Sequence, residues 1–207
     1  MVKSVKISEA VVRRLPIYLR YLSHLQQVGV TTVSSQQMGK TLDVNPAQIR
    51  KDLAAFGDFG KKGIGYDVHY LIEKIRQILK LDQEIHVALV GAGHLGHAIS
   101  NYNAYLQDNM RIVAIFDADP NKQGKQIAGI SIQPMDELKQ TVKEKQIRLA
   151  IITVPASAAQ SVADQLIDAG IEGILNFAPI TIKTDKDVRI DYADVTSSLQ
   201  SLAYYLT

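Results

Sequence analysis

The sequence predicts an α/β protein in two parts, a small basic winged-helix domain followed by a Rossmann-like parallel-sheet domain, with an amphipathic helix at the C-terminus. Three observations point there. Charge is lopsided: residues 1–80 hold 13 Lys+Arg against 6 Asp+Glu and the rest hold 10 against 15, so the formal +2 divides into +7 and −5. Two short helical patterns with a tight junction are followed by the glycine-rich "GDFGKKGIGYDV". Finally, "VALVGAGHLGHAIS", residues 87–100, runs an apolar strand into Gly91-x-Gly93-x-x-Gly96 and then a helical pattern. The implied boundaries are 1–80, 81–193 and 194–207.

Composition narrows the chemistry. The absence of cysteine excludes disulfides, Cys-ligated zinc, iron–sulfur clusters and thiol catalysis, so any redox role needs a bound molecule. No run approaches the roughly 18 to 20 apolar residues of a membrane span, and "MVKSVKISEAVV" has no apolar signal region. The expected location is the cytoplasm, with no membrane partner and no metal site. A basic half either meets a polyanion or is merely solvated.

In chain order, Ser8 is placed to cap a helix whose Val11, Leu15, Tyr18 or Leu19, Leu22 and Leu25 recur at helical spacing. Pro16 is expected to kink it or to start a second segment, and Gly29 to close it. Ser35 is expected to cap a short helix through "QQMGKTLD", and Asn45-Pro46 opens another, "AQIRKDLAAFG". Together they read as a helix-turn-helix. Gln48, Arg50 and Lys51 occupy the part of the second helix that would enter a DNA major groove, while Leu53, Ala54 and Phe56 are expected inside. Glycines 57, 60, 63 and 65 permit a hairpin with Lys61-Lys62 at its tip, a wing that can reach the backbone or minor groove. The plainer reading is a helical domain whose lysines only solubilise it.

"HYLIEKIRQILKL", 69–81, is amphipathic and reads as a connecting helix. Beyond it, strands are expected at 85–90, 111–116, 148–153 and 172–176, and helices at about 94–107, 135–145 and 156–169, the alternation of βαβ units. In the turn Gly91-Ala92-Gly93-His94-Leu95-Gly96, the first glycine permits a tight turn. The second lets a pyrophosphate approach the backbone, and the third lets helix and strand lie close. His94 and His97 read as surface residues or neighbours of that pyrophosphate. Asp117, at the end of "RIVAIFD", is placed to bond ribose hydroxyls and would repel a 2′-phosphate, favouring NAD(H). Thr153-Val154-Pro155 and Asn176-Phe177-Ala178-Pro179 end two further strands, where ligands of open α/β sheets bind. Without a ligand, the same turn would be an ordinary strand–helix junction.

No catalytic residue stands out. A dehydrogenase needs a proton donor or acceptor near the hydride, and the Tyr70-x-x-x-Lys74 pair precedes the glycine turn. The tail "VRIDYADVTSSLQSLAYYLT" is too short for a substrate domain. It carries Val195, Leu199, Leu202 and Leu206 as an apolar stripe capped by Asp194, to pack on its own sheet or on a partner subunit. A small NAD-dependent oxidoreductase with an accessory basic domain, or a CoA-binding interaction module, remains the alternative.

The segments "RRLPIYLRYL", "QIRKDLAAFGDFGKKGIGYDV", "GAGHLGHAI", "FDADPNKQGK", "TVPASAAQSVAD", "GILNFAP" and "SSLQSLAYYL" closely resemble the Rex family of redox-sensing transcriptional repressors, in order and over nearly the whole chain. The resemblance implies a winged helix joined to a Rossmann domain in a homodimer, with the C-terminal helices exchanged between subunits. It implies binding to inverted-repeat operator DNA when NADH is scarce and release when NADH rises relative to NAD+. By position it carries DNA contact to Gln48, Arg50, Lys51, Lys61 and Lys62. Nucleotide contact falls on Gly91, Gly93, Leu95, Gly96, Asp117, Lys122, Thr153, Pro155, Asn176 and Ala178, with Ala92, His94 and Val154 between them and Tyr102 after the glycine helix. Switching contacts fall on Arg14, Tyr102 and Asp194, with Asp191 the alternative acid.

Overall fold

The computed structural model describes residues 8–57, 60–61, 65–102 and 109–206, with backbone alone at 60, 61 and 102. The chain divides into two compact units, Met1–Asp82 and Gln83–Thr207. The first contains α1 (Glu9–Gln27), β1 (Thr32–Val33), α2 (Ser35–Leu42), α3 (Pro46–Ala54), β2 (Gly60–Lys61), β3 (Gly65–Asp67) and α4 (Val68–Ile78). Strand β3 lies between β1 and β2 and pairs antiparallel with both. A helix-turn-helix with β1 before it and the β2–β3 hairpin after it is a winged helix. Leu15, Tyr18 and Leu22 of α1, Met38 of α2, Ile49 and Leu53 of α3, and Leu71 and Ile75 of α4 are all buried.

Local chemistry corrects several expectations. Helix α1 is one element with Pro16 inside it, neither ended nor restarted there. An interior proline costs about 3 kcal/mol, but Leu15, Tyr18, Leu19 and Leu22 around it are buried, and their packing outweighs that cost. Ser8 holds the N-cap position, yet its side chain accepts no capping bond. The cap of α2 is Ser34, not Ser35. A capping box needs a Gln or Glu three residues on; from Ser34 that residue is Gln37, which bonds back to the Ser34 N–H at 2.8 Å while its own N–H donates to Ser34 Oγ at 3.1 Å. From Ser35 it would be Met38, which cannot reciprocate. Asn45 does cap α3, accepting from the Ala47 N–H at 2.8 Å with Pro46 in the first turn. Ala54 is exposed rather than inward. The inward face of α3 is Ile49, Asp52, Leu53 and half-buried Phe56, at i, i+3, i+4 and i+7, so a carboxylate takes the place the alanine was assigned.

The tight joint between α2 and α3 depends on Gly39. A Cβ there would meet the Val44 carbonyl at 2.6 Å and Pro46 Cγ at 2.9 Å. Gly39→Ala is therefore expected to lower stability by about 1–3 kcal/mol through overpacking, despite alanine's better helix propensity, as a thermal melt will show.

The second unit contains β4 (Ile85–Val90), α5 (His94–Tyr102), β5 (Met110–Phe116), β6 (Gln126–Ile127) and β7 (Ile130–Gln133). A single 3-10 turn (Met135–Glu137) then leads into α6 (Leu138–Glu144), β8 (Leu149–Ile152), α7 (Ala156–Asp168), β9 (Gly173–Asn176), β10 (Arg189–Tyr192) and α8 (Val195–Ala203). The sheet order is β10-β9-β8-β4-β5-β7-β6, parallel except for β6. Numbering the parallel strands by chain position gives 3-2-1-4-5-6 across the sheet, the dinucleotide-binding order, which reverses between β4 and β8. Two core clusters hold the sheet in its helical layers, one around Phe116, Ile152 and Leu166 and one around Leu89, Ile112 and Ile115. Three strands of this unit, β6, β7 and β10, were not anticipated. The β6–β7 hairpin turns on Ala128 and Gly129, both at positive φ (49° and 80°), the geometry for which asparagine or aspartate is the usual sequence signal. Strand β10 comes from the tail that read as lying beyond the sheet.

Asp194 caps α8, with Oδ1 accepting from the Ser197 N–H at 2.9 Å and Oδ2 from Ser197 Oγ at 2.6 Å. The helix does not bury its stripe on its own sheet: Val195, Leu199, Leu202 and Leu206 are 61–85% exposed. Among the described residues no helix is long and apolar enough to cross a membrane.

Candidate nucleotide site and nucleic-acid interface

A cavity of about 540 Å³ opens at the carboxyl ends of β4, β5 and β8, where the strand order reverses. Its walls include Gly91 and Gly93 after β4, Asp117 and Lys122 after β5, and Thr153, Val154 and Pro155 after β8. The three glycines have separate reasons. Gly91 has φ +108°, and a Cβ there would strike the Thr153 backbone at 2.8 Å. A Cβ on Gly96 would lie 2.0 Å from the Gly91 carbonyl, so only glycine lets α5 start this close to the turn. At Gly93 nothing lies within 4 Å: its missing side chain leaves room in the cavity, as a dinucleotide's pyrophosphate requires. Helix α5 begins at the next residue, His94. The N–H groups of a first turn have no intrahelical acceptor and lie at the positive end of the dipole.

Asp117 is 8% exposed and holds the turn from the β5 side. Its Oδ2 accepts from the Ala92 N–H at 2.7 Å and from Lys122 Nζ at 2.9 Å, and its Oδ1 from the Asp119 N–H at 2.8 Å. Burial pushes its pKa up, but the Asp119 N–H, Lys122 and the Ala92 N–H outweigh burial and hold the carboxyl below its ordinary value. A carboxylate has about four lone-pair sites, so Oδ1 keeps capacity for a ribose hydroxyl. Thr153 Oγ1 points to the Val90 and Gly91 carbonyls, at 3.1 and 2.8 Å, tying two strand ends together.

Other expected nucleotide residues stand apart from this cavity. Asn176 is 1% exposed and closes its own loop: Nδ2 donates to the Ala178 and Ile180 carbonyls at 3.0 and 3.1 Å, and Oδ1 accepts from the Ala178 N–H at 2.9 Å. Ala178 is buried, while His94 and Leu95 are exposed at the start of α5. Tyr102 is the last described residue of α5, and its side chain, like residues 103–107 of the expected helix, lies outside the described residues. Met135, Ala158, Ser161 and Gln165 also line the cavity. Sequence reading missed Ala158, Ser161 and Gln165 because they face it only once α7 has packed on the sheet, and Met135 because it reaches the cavity from the 3-10 turn after β7. Lys74 lies 5.5 Å from the Tyr70 ring centroid, a cation–π contact on α4.

In the winged helix, Lys51 and Arg50 are exposed, and Arg50 Nη1 donates to Ser35 Oγ at 3.0 Å. The backbone of Lys61 lies in β2; Lys62 lies outside the described residues. Gln48 is half-buried and linked to a cluster that sequence reading did not anticipate. Asp52, on the inward face of α3, accepts from Arg14 Nε at 2.6 Å and Nη2 at 2.8 Å, from Tyr18 Oη at 2.8 Å and from Gln48 Nε2 at 2.6 Å. Burial raises its pKa, but Arg14, Tyr18 and Gln48 bring it below the ordinary aspartate value. Burial and the same carboxylate push the Tyr18 phenol up. Arg14, expected as a switching residue, is thus bonded within its own domain. Asp191 lies in β10 and Asp194 at the start of α8.

Two domain families match: the putative DNA-binding protein N-terminus over residues 6–54 and the CoA binding domain over residues 82–180. The redox-sensing transcriptional repressor Rex of Brevibacillus brevis is 81% identical over 207 residues, 100% of both chains. This chain belongs to the Rex family. The Rex repressor of Chloroflexus aurantiacus is 48% identical over 198 residues, 96% of this chain and 93% of the relative. Among solved structures, RSP in complex with β-NAD+ and operator DNA superposes with a TM-score of 0.90 at 36% identity, covering 97% of this chain and 92% of that one. RSP in complex with β-NADH gives 0.87 at 34%, covering 97% and 94%. Rex proteins are transcriptional regulators, and membership removes the oxidoreductase and CoA-module alternatives.

Proposed function

We propose that the chain is a cytoplasmic homodimeric repressor that binds inverted-repeat operator DNA and leaves it when NADH occupies the Rossmann domain. The observation that carries the reading is the open ground over Gly93, at the sheet's switch point, in a chain that also holds a winged helix. RSP, a relative, has been solved with β-NAD+ and operator DNA and separately with β-NADH. Gly91, Gly93 and the start of α5 would hold the pyrophosphate, and Asp117 the ribose hydroxyls. Ionised Asp117 disfavours a 2′-phosphate. Lys51, Arg50 and Gln48 of α3 would face the major groove, with Lys61 and Lys62 on the wing. The bare stripe of α8 is suited to a second subunit, which supports dimerisation through exchanged helices.

The two nucleotide forms differ by a hydride and one positive charge on the nicotinamide ring. A ligand shifts an equilibrium only by its differential affinity for the two conformations, so discrimination must occur around that ring. Tyr102, at the end of the glycine helix, together with Asp194 and Arg14, is the set assigned to that response. A hundredfold change in DNA affinity corresponds to about 2.7 kcal/mol of coupling, within the usual range for linked sites. The test is fluorescence anisotropy of a labelled palindromic duplex with the full-length protein, titrated with NADH and separately with NAD+. Release by NADH at concentrations where NAD+ has little effect is expected; equal responses to both would sink the reading.

A further inference from the structure

We infer that Asp52 sets the base preference of the recognition helix by holding the Gln48 amide nitrogen-inward, so that Gln48 presents its Oε1 to an amino-bearing base, adenine or cytosine. The inference rests on the DNA-binding reading and deepens it.

The geometry allows one orientation. Asp52 has no exposed side-chain surface, and Arg14 pairs with it at 2.6 Å. Its net pKa shift is downward, so it is ionised and accepts only. Four donors converge on it: Arg14 Nε and Tyr18 Oη on Oδ2, Arg14 Nη2 and Gln48 Nε2 on Oδ1. Gln48 and Asp52 are one helical turn apart on α3. An amide facing a carboxylate at 2.6 Å must present nitrogen, because its oxygen would be repelled. Gln48 therefore keeps Oε1 and one N–H for a partner outside the cluster. That pairing matches adenine, which offers N6–H and N7 in the major groove, and Oε1 alone matches the N4–H of cytosine. Guanine, with two acceptors there, is disfavoured.

Asp52→Asn turns the logic round. The carboxamide oxygen stays where Tyr18 Oη and Arg14 Nε donate, which puts its NH2 toward Gln48 and takes the acceptor from Arg14 Nη2, a conflict that the double variant with Arg14→Met removes. Gln48 must then face inward with Oε1 and outward with Nε2. The preference at one base pair is expected to move from adenine or cytosine toward guanine, by at least fivefold in relative affinity.

The experiment selects binding duplexes from a randomised inverted-repeat library with the full-length protein in the presence of NAD+, then sequences them. Wild type, Gln48→Ala, Asp52→Asn and the packing control Ile49→Val are compared, with melting temperatures measured for each. Gln48→Ala should erase preference at one position, and Asp52→Asn should redirect it at that same position. Ile49→Val should lower the melting temperature a few degrees and leave the preference intact. If Asp52→Asn does not fold, Arg14→Met with Asp52→Asn, which removes both charges, carries the same test. A uniform loss of affinity at every position, or an unchanged preference, overturns the inference while leaving DNA binding in place. Failure of the wild type to enrich any duplex overturns the DNA-binding reading and the inference together.

Discussion

Gly93→Val is expected to weaken NADH binding at least a hundredfold while leaving the melting temperature of the nucleotide-free protein within about two degrees of wild type. Both halves follow from where the Cβ would go. It meets nothing within 4 Å, so the fold has no reason to move, and Gly93 does not sit in the left-handed region that would strain a valine. The atoms project instead into a cavity of about 540 Å³, on the ground a pyrophosphate needs. Hydrogen bonds to a charged group are worth about 1.5–3 kcal/mol each. Loss of two therefore exceeds the 2.7 kcal/mol of a hundredfold change. Isothermal titration of NADH gives the affinity and a thermal melt the stability. Gly96→Ala is the contrast: its Cβ would sit 2.0 Å from the Gly91 carbonyl, and the turn itself must shift. That variant should lose stability before it loses nucleotide, by about 1–3 kcal/mol. On operator DNA, Gly93→Val should still bind and no longer be released by NADH. Wild-type NADH affinity in this variant would mean that the nucleotide does not lie over the glycine turn.

The features legible in the sequence are those whose cause lies within a few residues. A strand, three glycines and a helix are local, and so are the Asn45-Pro46 cap and the acid that ends β5. The Ser34 capping box is equally local, yet the sequence reading places the cap at Ser35; Gln37, three residues after Ser34, is the signal that separates the two. What was not legible depends on partners remote in sequence. Asp52 reads as one more charge on a polar helix until Arg14 and Tyr18, 38 and 34 residues earlier, are brought against it. Strand β10 has little alternation to announce it, being exposed along most of its length, and exists because β9 offers an edge. Asn176 shows the converse. Its place at a strand end marked it for ligand contact, yet its side chain is spent on the loop that follows.

Arg14→Met is expected to destabilise the winged helix by about 3–5 kcal/mol at pH 7, the cost of leaving a buried charge unpaired. Methionine retains the apolar stem of the arginine, so the loss is mainly electrostatic. Asp52 would keep only Tyr18 and Gln48 as donors while its side chain stays fully buried. In wild type its folded-state pKa lies below the ordinary value of 3.8. Its contribution is therefore fully present above that value and is lost as pH falls through the depressed pKa. Without the guanidinium, Asp52 loses the Arg14 hydrogen bonds and charge that lower its pKa while its burial still raises it, so the variant takes up a proton at higher pH than wild type. The deficit between the two proteins should then narrow from pH 7 toward pH 4, although both become less stable overall. Arg14→Met combined with Asp52→Asn removes both charges and keeps an oxygen for the Tyr18 hydroxyl. It should recover more than half of the loss, since replacing a buried pair by neutral groups costs far less than halving it. Urea unfolding of wild type, Arg14→Met, Asp52→Asn and the double variant at pH 7 and pH 4 decides the matter. A deficit independent of pH, or a double variant no more stable than Arg14→Met, would show that Arg14 braces α1 against α3 by packing rather than by neutralising Asp52.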